Sequence, residues 1–176
     1  MLRPIALSCV FLLASCAQPE MKTMMPMAHA TLQAAASQTV SGMVMLQQMD
    51  GHLMLHAKVA GLKPNAEFGF HVHDKGDCSK ADFSSAGGHF NPQQQPHGSQ
   101  TGMNHAGDLP NLRSDAEGKA ELKMMFPELS LTAGKANHIL GRALVIHANA
   151  DDYQTQPAGN SGPRIACGVI SAGMMK

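Results

Sequence analysis

From Thr39 onward the chain is written in short alternating runs separated by Gly, Pro, Asn and Asp, with no long helical period and no internal repeat. That text admits strands and tight turns and little else, so it predicts an antiparallel sandwich or barrel. The clearest hairpin is SGMVMLQQM-DG-HLMLHAKV, where Asp50-Gly51 signals a two-residue type I′ turn. Such a turn sets the register: Met49 faces His52, Gln47 faces Met54, Met45 faces His56, Leu46 faces Leu55 and Val44 faces Ala57. Val44, Leu46, Leu53, Leu55 and Ala57 then form a core face, and the other face is a methionine and histidine surface. Downstream, GLKPNAEFGFHVH reads as a turn at Lys63-Pro64-Asn65 followed by a strand containing Phe68 to His73.

The N-terminal text is different. Met1 to Ser15 carry one positive charge, Arg3, then an apolar stretch through Phe11-Leu12-Leu13 and small residues, the pattern of a secretory signal. Leu13-Ala14-Ser15-Cys16 resembles a bacterial lipobox, in which Cys16 is lipidated and becomes the mature N-terminus. The apolar run is too short for a comfortable transmembrane helix. The expectation is an exported protein in the periplasm or cell envelope, tethered by lipid at Cys16, with Ala17 favouring the outer membrane. The plainer alternative is an ordinary signal peptide that leaves Cys16 a stray thiol. Residues 16–37, with Pro19 and Pro26 and no amphipathic period, read as a methionine-rich flexible linker, and 38–176 as the folded domain.

Export accounts for the cysteines. Cys9 leaves with the signal and Cys16 takes lipid, so Cys78 and Cys167 remain as one disulfide in an oxidising compartment. Closing so long a loop is worth roughly 2–4 kcal/mol. Thirteen basic residues balance thirteen acidic ones, which argues against nucleic acid or an anionic membrane surface as partner.

The chemistry lies in the histidines. His71 and His73, two apart in a strand, point to one face while Val72 packs inward. Ala86-Gly87-Gly88-His89-Phe90-Asn91-Pro92 sets a further histidine among glycines. His97, His105 and Asp108 follow in a stretch with no evident strand, where a bound metal would supply order. Ala143-Leu144-Val145-Ile146-His147 is another apolar strand ending in histidine.

Five segments, GFHVHDKGDC, SAGGHFNP, the stretch from His97 to Leu112, ALVIHANADDY and GPRIACGVI, together resemble the copper/zinc superoxide dismutases of the bacterial envelope type. The resemblance covers roughly Thr39 to Ile170. It implies a Greek-key, eight-stranded antiparallel β-barrel of immunoglobulin-like type, with long metal-binding and electrostatic loops. It implies one copper per chain on His71, His73, His89 and His147, and one zinc on His89, His97, His105 and Asp108. His89 would bridge the metals, Asp151 would orient ligand histidines of both sites, and Arg164 would attract the anion. The Cys78–Cys167 bridge fits the same pattern. The implied reaction is dismutation of superoxide to dioxygen and hydrogen peroxide by a redox-cycling copper. Relatives often carry charged side chains where Tyr153-Gln154-Thr155-Gln156 stand, so weaker steering of the substrate is expected here.

An electron-transfer cupredoxin is excluded, because it needs a cysteine ligand with histidine and methionine close behind, and Cys78 and Cys167 lack that context. A non-catalytic copper buffer on the same fold is the remaining alternative, opposed by the complete ligand set. His29, His52, His56 and His138 read as surface histidines. The methionine-rich tract Met21 to His29 and the outer face of the first hairpin either hold copper loosely or cover a partner. Relatives occur as monomers and homodimers, and no patch in the sequence decides between them.

Overall fold

The computed structural model describes residues 25–173. The signal-peptide and Cys16 expectations fall outside them. Ten strands follow in order: β1 (Met27–Ala34), β2 (Ser41–Gln48), β3 (Leu53–Ala60), β4 (Glu67–Phe68), β5 (Phe70–His73), β6 (Leu112–Arg113), β7 (Ala120–Phe126), β8 (Ala143–His147), β9 (Arg164–Val169) and β10 (Ser171–Ala172). The main sheet runs β5-β8-β9-β1-β2-β3-β7, every pairing antiparallel, with β10 added on β1 and a separate β4-β6 pair. A sheet of this length with the native twist curls on itself. The all-β barrel expectation holds.

The β2-β3 hairpin has the register read from its turn, with Val44 against Ala57, Met45 against His56, Leu46 against Leu55 and Gln47 against Met54. Val44, Leu46, Leu53, Leu55 and Ala57 are fully buried. Of the turn residues Gly51 alone has positive φ, at 75°, so the turn is not type I′ although the register is kept. The Phe68–His73 strand is divided at Gly69: Phe68 pairs with Leu112, and Phe70 begins the pairing with β8.

One expectation is corrected. Residues 16–37 are not a linker throughout, because Met27–Ala34 form β1 in the middle of the sheet. Ala28, Ala30 and Leu32 face the core, and β1 joins both halves of the sheet, bonding β2 from Met27 to Leu32 and β9 through Gln33 and Ala34. Inward alanines are poor strand formers and weak hydrophobic markers, so the alternation was faint. His29 therefore belongs to a strand, with its Nδ1 2.9 Å from the carbonyl oxygen of Gly173.

The position of the site follows from strand parity. In β5 and β8, Phe70, Val72, Leu144 and Ile146 enter the main core. The alternate residues His71, His73, Ala143 and Val145 share the outer face, His71 opposite Val145 and His73 opposite Ala143. That face is covered by the segment after β5: Phe83 and Ala86 pack with Ala143, Val145 and Cys167, with Cys78 beside them. The Cys78–Cys167 disulfide, Cα–Cα 5.9 Å across 89 residues of sequence, anchors this cover to β9. The histidines thus lie outside the barrel yet away from water.

Candidate metal centre

The free edge of β5 is closed by loop backbone. Val72 donates to the Gly107 carbonyl at 2.9 Å and accepts from the Phe90 amide at 2.8 Å. Bridges pair His71 with Asp108 and His73 with His89. This brings His89 and Asp108 beside the β5 histidines. Gly107 lies so close to the Val72 oxygen that a Cβ would collide with backbone.

Two clusters result. In each, one ligand-type atom per residue lies within 4.8 Å of the others: His71, His73, His89 and His147 form one, and His89, His97, His105 and Asp108 the other. His89 belongs to both. The sequence-derived residues are all brought together.

Hydrogen bonds choose which nitrogen each ring offers. His73 Nδ1 donates to the Gly87 carbonyl at 2.9 Å and His147 Nδ1 to the Gly162 carbonyl at 3.0 Å, leaving both Nε2 atoms, 3.3 Å apart, as acceptors. His71 Nε2 lies 2.8 Å from Asp151 Oδ2, leaving Nδ1. His71 Nδ1 and His89 Nε2 are buried without a hydrogen-bond partner. Buried polar atoms are normally paired, so two orphaned nitrogens in one histidine cluster fit lone pairs held for a metal ion. In the second cluster Asp108 Oδ1 lies 2.8 Å from His89 Nδ1 and 3.2 Å from His105 Nδ1, and Oδ2 lies 3.0 Å from His97 Nδ1. The His97 contact falls within ion-pair distance but lacks hydrogen-bond geometry. Four imidazoles suit copper, and three imidazoles with a carboxylate suit zinc.

Asp151 joins the clusters, its Oδ2 on His71 and its Oδ1 2.9 Å from His97 Nε2. Asn111 holds Asp151 from both sides, donating Nδ2 to its carbonyl and accepting its amide on Oδ1, each at 2.9 Å. The Tyr153 hydroxyl accepts the Asn111 amide at 2.8 Å. Gln156 brackets His97, accepting its amide on Oε1 and donating Nε2 to its carbonyl, both at 2.8 Å. Gly159, at φ 63°, passes so close to Asp151 Oδ1 that no side chain fits there. Sequence reasoning missed Asn111, Tyr153 and Gln156, for which the only signal was closeness to Asp108 or Asp151 in the chain.

The electrostatics divide the clusters. Burial, the largest influence in each case, lowers His71 to about 3, His73 to about 2 and His147 to about 4, so all three are neutral at pH 7. Burial also opposes a charge on His97, but close contact with the Asp108 and Asp151 carboxylates outweighs it and raises that ring to about 9. For Asp108, burial acts upward, but hydrogen bonds from His105 and His89 and the close His97 ring hold the carboxyl well below its usual range.

An opening of about 400 Å³ is bordered by His73, His89, His147, Pro157 and Arg164. Arg164, at the start of β9, donates to the carbonyl oxygens of Phe83 and Gly87. Both acceptors lie on the disulfide-anchored cover.

The family described as copper/zinc superoxide dismutase (SODC) matches residues 40–170. The chain is 46% identical over 134 residues to the superoxide dismutase-like protein YojM of Bacillus subtilis, covering 73% of this chain and 68% of that one. It is 43% identical over 148 residues to superoxide dismutase [Cu-Zn] 2 of Aquifex aeolicus, covering 81% and 85%. Among solved structures it is similar to a double mutant of a SOD-like protein from Bacillus subtilis, a variant with two residues changed to histidine. That match has a TM-score of 0.74 and 44% identity over 81% of this chain and 96% of that one.

Proposed function

The chain belongs to the copper/zinc superoxide dismutase family, and from that premise we propose that it is a complete dismutase of the cell envelope, with His89 bridging copper and zinc. The observation that carries this reading is the double membership of His89: Nδ1 sits at Asp108 and Nε2 is buried without a partner in the other cluster. His71, His73, His89 and His147 would hold copper; His89, His97, His105 and Asp108 would hold zinc.

Copper supplies two oxidation states one electron apart, which converting superoxide alternately to dioxygen and hydrogen peroxide requires. The protein supplies the remainder. Neutral rings at His71, His73 and His147 offer lone pairs at physiological pH. Arg164, fixed by two carbonyls at the opening, presents a positive charge to an incoming anion. His89 Nε2 is the atom able to carry a proton toward the reduced substrate, because Nδ1 serves the other cluster beside Asp108. Asp151 keeps the His71 and His97 rings from turning.

Envelope location and a lipid anchor at Cys16 rest on the N-terminal text and on the disulfide, which suits an oxidising compartment. Replacing Cys16 with Ser should release the protein from the membrane fraction; release of wild type under the same washing would refute the anchor.

A non-catalytic copper-binding role is the second reading, favoured by the naming of a 46% identical relative as dismutase-like. Superoxide decay decides between them. Chain loaded with copper and zinc should outpace an equal amount of free copper, and His71→Ala and His147→Ala should lose that advantage. Equal rates for all would leave only the binding role.

A further inference from the structure

Apart from the histidine clusters, the outward face of β1-β2-β3 carries chemistry that the catalytic reading does not use. A pocket of about 200 Å³ there is lined by Met27, Met45, Met49, Met54 and His56, with Lys123 at its border. Registers explain the convergence. Met45 lies directly across from His56, and Met27 and Met54 both lie across from Gln47, so the side chains meet on one face of three neighbouring strands.

Two features set this face apart from an ordinary wet sheet surface. Outward positions of a solvent-facing strand are usually polar or β-branched, whereas methionine is neither. The thioether is a soft donor that selects Cu(I) over zinc and hard cations. Second, the Nε2 of His56 lies 2.5 Å from the Glu121 Oε1 carboxylate oxygen. A carboxylate that takes one ring N–H and leaves the other nitrogen as the donor is the arrangement that orients metal-binding histidines. The same carboxylate oxygen also lies 3.8 Å from the ammonium of Lys58, so it offsets a lysine charge beside the face.

We propose that this face is a Cu(I)-binding site, the ion taking up to about four donors from among the thioethers of Met27, Met45, Met49 and Met54 and the Nδ1 of His56, with Glu121 as the group that orients His56. The site is separate from the two histidine clusters and stands whether or not the chain is a dismutase. Partly open to solvent, with neutral sulfur donors, it holds copper in exchangeable form. The ligand is copper in its reduced state, and binding transfers no electron.

The test uses the full mature chain already loaded with copper and zinc, titrated anaerobically with Cu(I) against a bicinchoninate competitor. Wild type should take up one further Cu(I) per chain, with sulfur scatterers in its X-ray absorption spectrum. The Met45→Leu/Met54→Leu variant keeps apolar volume and fold, and should bind that ion about tenfold more weakly or not at all. Glu121→Gln should weaken it by a similar factor. Superoxide decay, measured on the same samples, should be unchanged in both variants, which separates failure here from failure of the catalytic reading. No additional uptake by wild type, undiminished uptake by the double variant, or a spectrum with nitrogen and oxygen scatterers alone would overturn the site.

Discussion

The outer faces of the two halves of this sheet start from the same strand period and end in opposite environments. On β5 and β8 the outward residues are His71, His73 and His147, roofed by the disulfide-anchored segment and by the loop carrying His89 to Asp108. On β2 and β3 the outward residues are Met45, Met54 and His56, with no such roof among the described residues, and Met45 is 45% exposed. Parity decides which residues point out; the connecting loops decide whether pointing out means meeting water. A roof keeps imidazoles neutral and their lone pairs unspent, while an open face leaves soft donors in exchange with solvent.

Loss of the roofed site's internal brace should have the largest effect. Asp151→Asn leaves one acceptor for two ring N–H groups, so copper and zinc affinity should both fall about 10–100-fold by chelator competition. A loss confined to one metal would mean that the clusters are braced independently. Next is the contrast across β3. Leu55→Ala removes a fully buried side chain and should cost about 2–5 kcal/mol in denaturant unfolding. Met54→Ala, one residue along on the open face, should cost about 0.5 kcal/mol or less. Similar costs for both would show that the outer face is covered after all.

Removing the tether of the roof, by replacing Cys78 and Cys167 with Ser, should cost roughly 2–4 kcal/mol. On the proposed activity it should also raise the KM for superoxide more than the loss of stability alone would predict, because Phe83 and Gly87 orient Arg164. The smallest signal is a proton count. At pH 7 the metal-free chain holds a proton on His97, raised to about 9, and none on His71, His73 or His147, which burial depresses. Zinc binding to the metal-free chain in weak buffer should therefore release about one proton from His97, and about one more should leave when the other metal follows, because a His89 that bridges two metals keeps no N–H. No release on zinc binding would mean that His97 is neutral in the metal-free chain. The sign extends to stability: His97 stabilises the metal-free fold below the ordinary histidine value, and that contribution disappears as pH rises through about 9.

What the sequence disclosed follows the same physics. The Val44–Ala57 and Leu46–Leu55 pairs were legible because hydrophobic alternation is strong there, and a two-residue turn allows one register. Histidines at strand ends were legible because nothing in a core calls for imidazole. The strand Met27–Ala34 was not, since Ala28 and Ala30 give little contrast with their neighbours. Nor could the text reveal that Gln156 brackets His97 or that Asn111 grips Asp151. Such contacts exist only after two loops have met, and no periodicity encodes them.

The carbonyl oxygen of Gly87 accepts both from the Nδ1 of His73 and from the guanidinium of Arg164. On the proposed reading, a copper ligand and the counter-charge for the substrate therefore hang on one atom. Changes in the 79–87 segment are then transmitted to metal retention and anion capture together, and neither property is adjustable alone through that loop. The segment acts as a common mode in the design, so its substitutions should move both properties along one line instead of scattering independently.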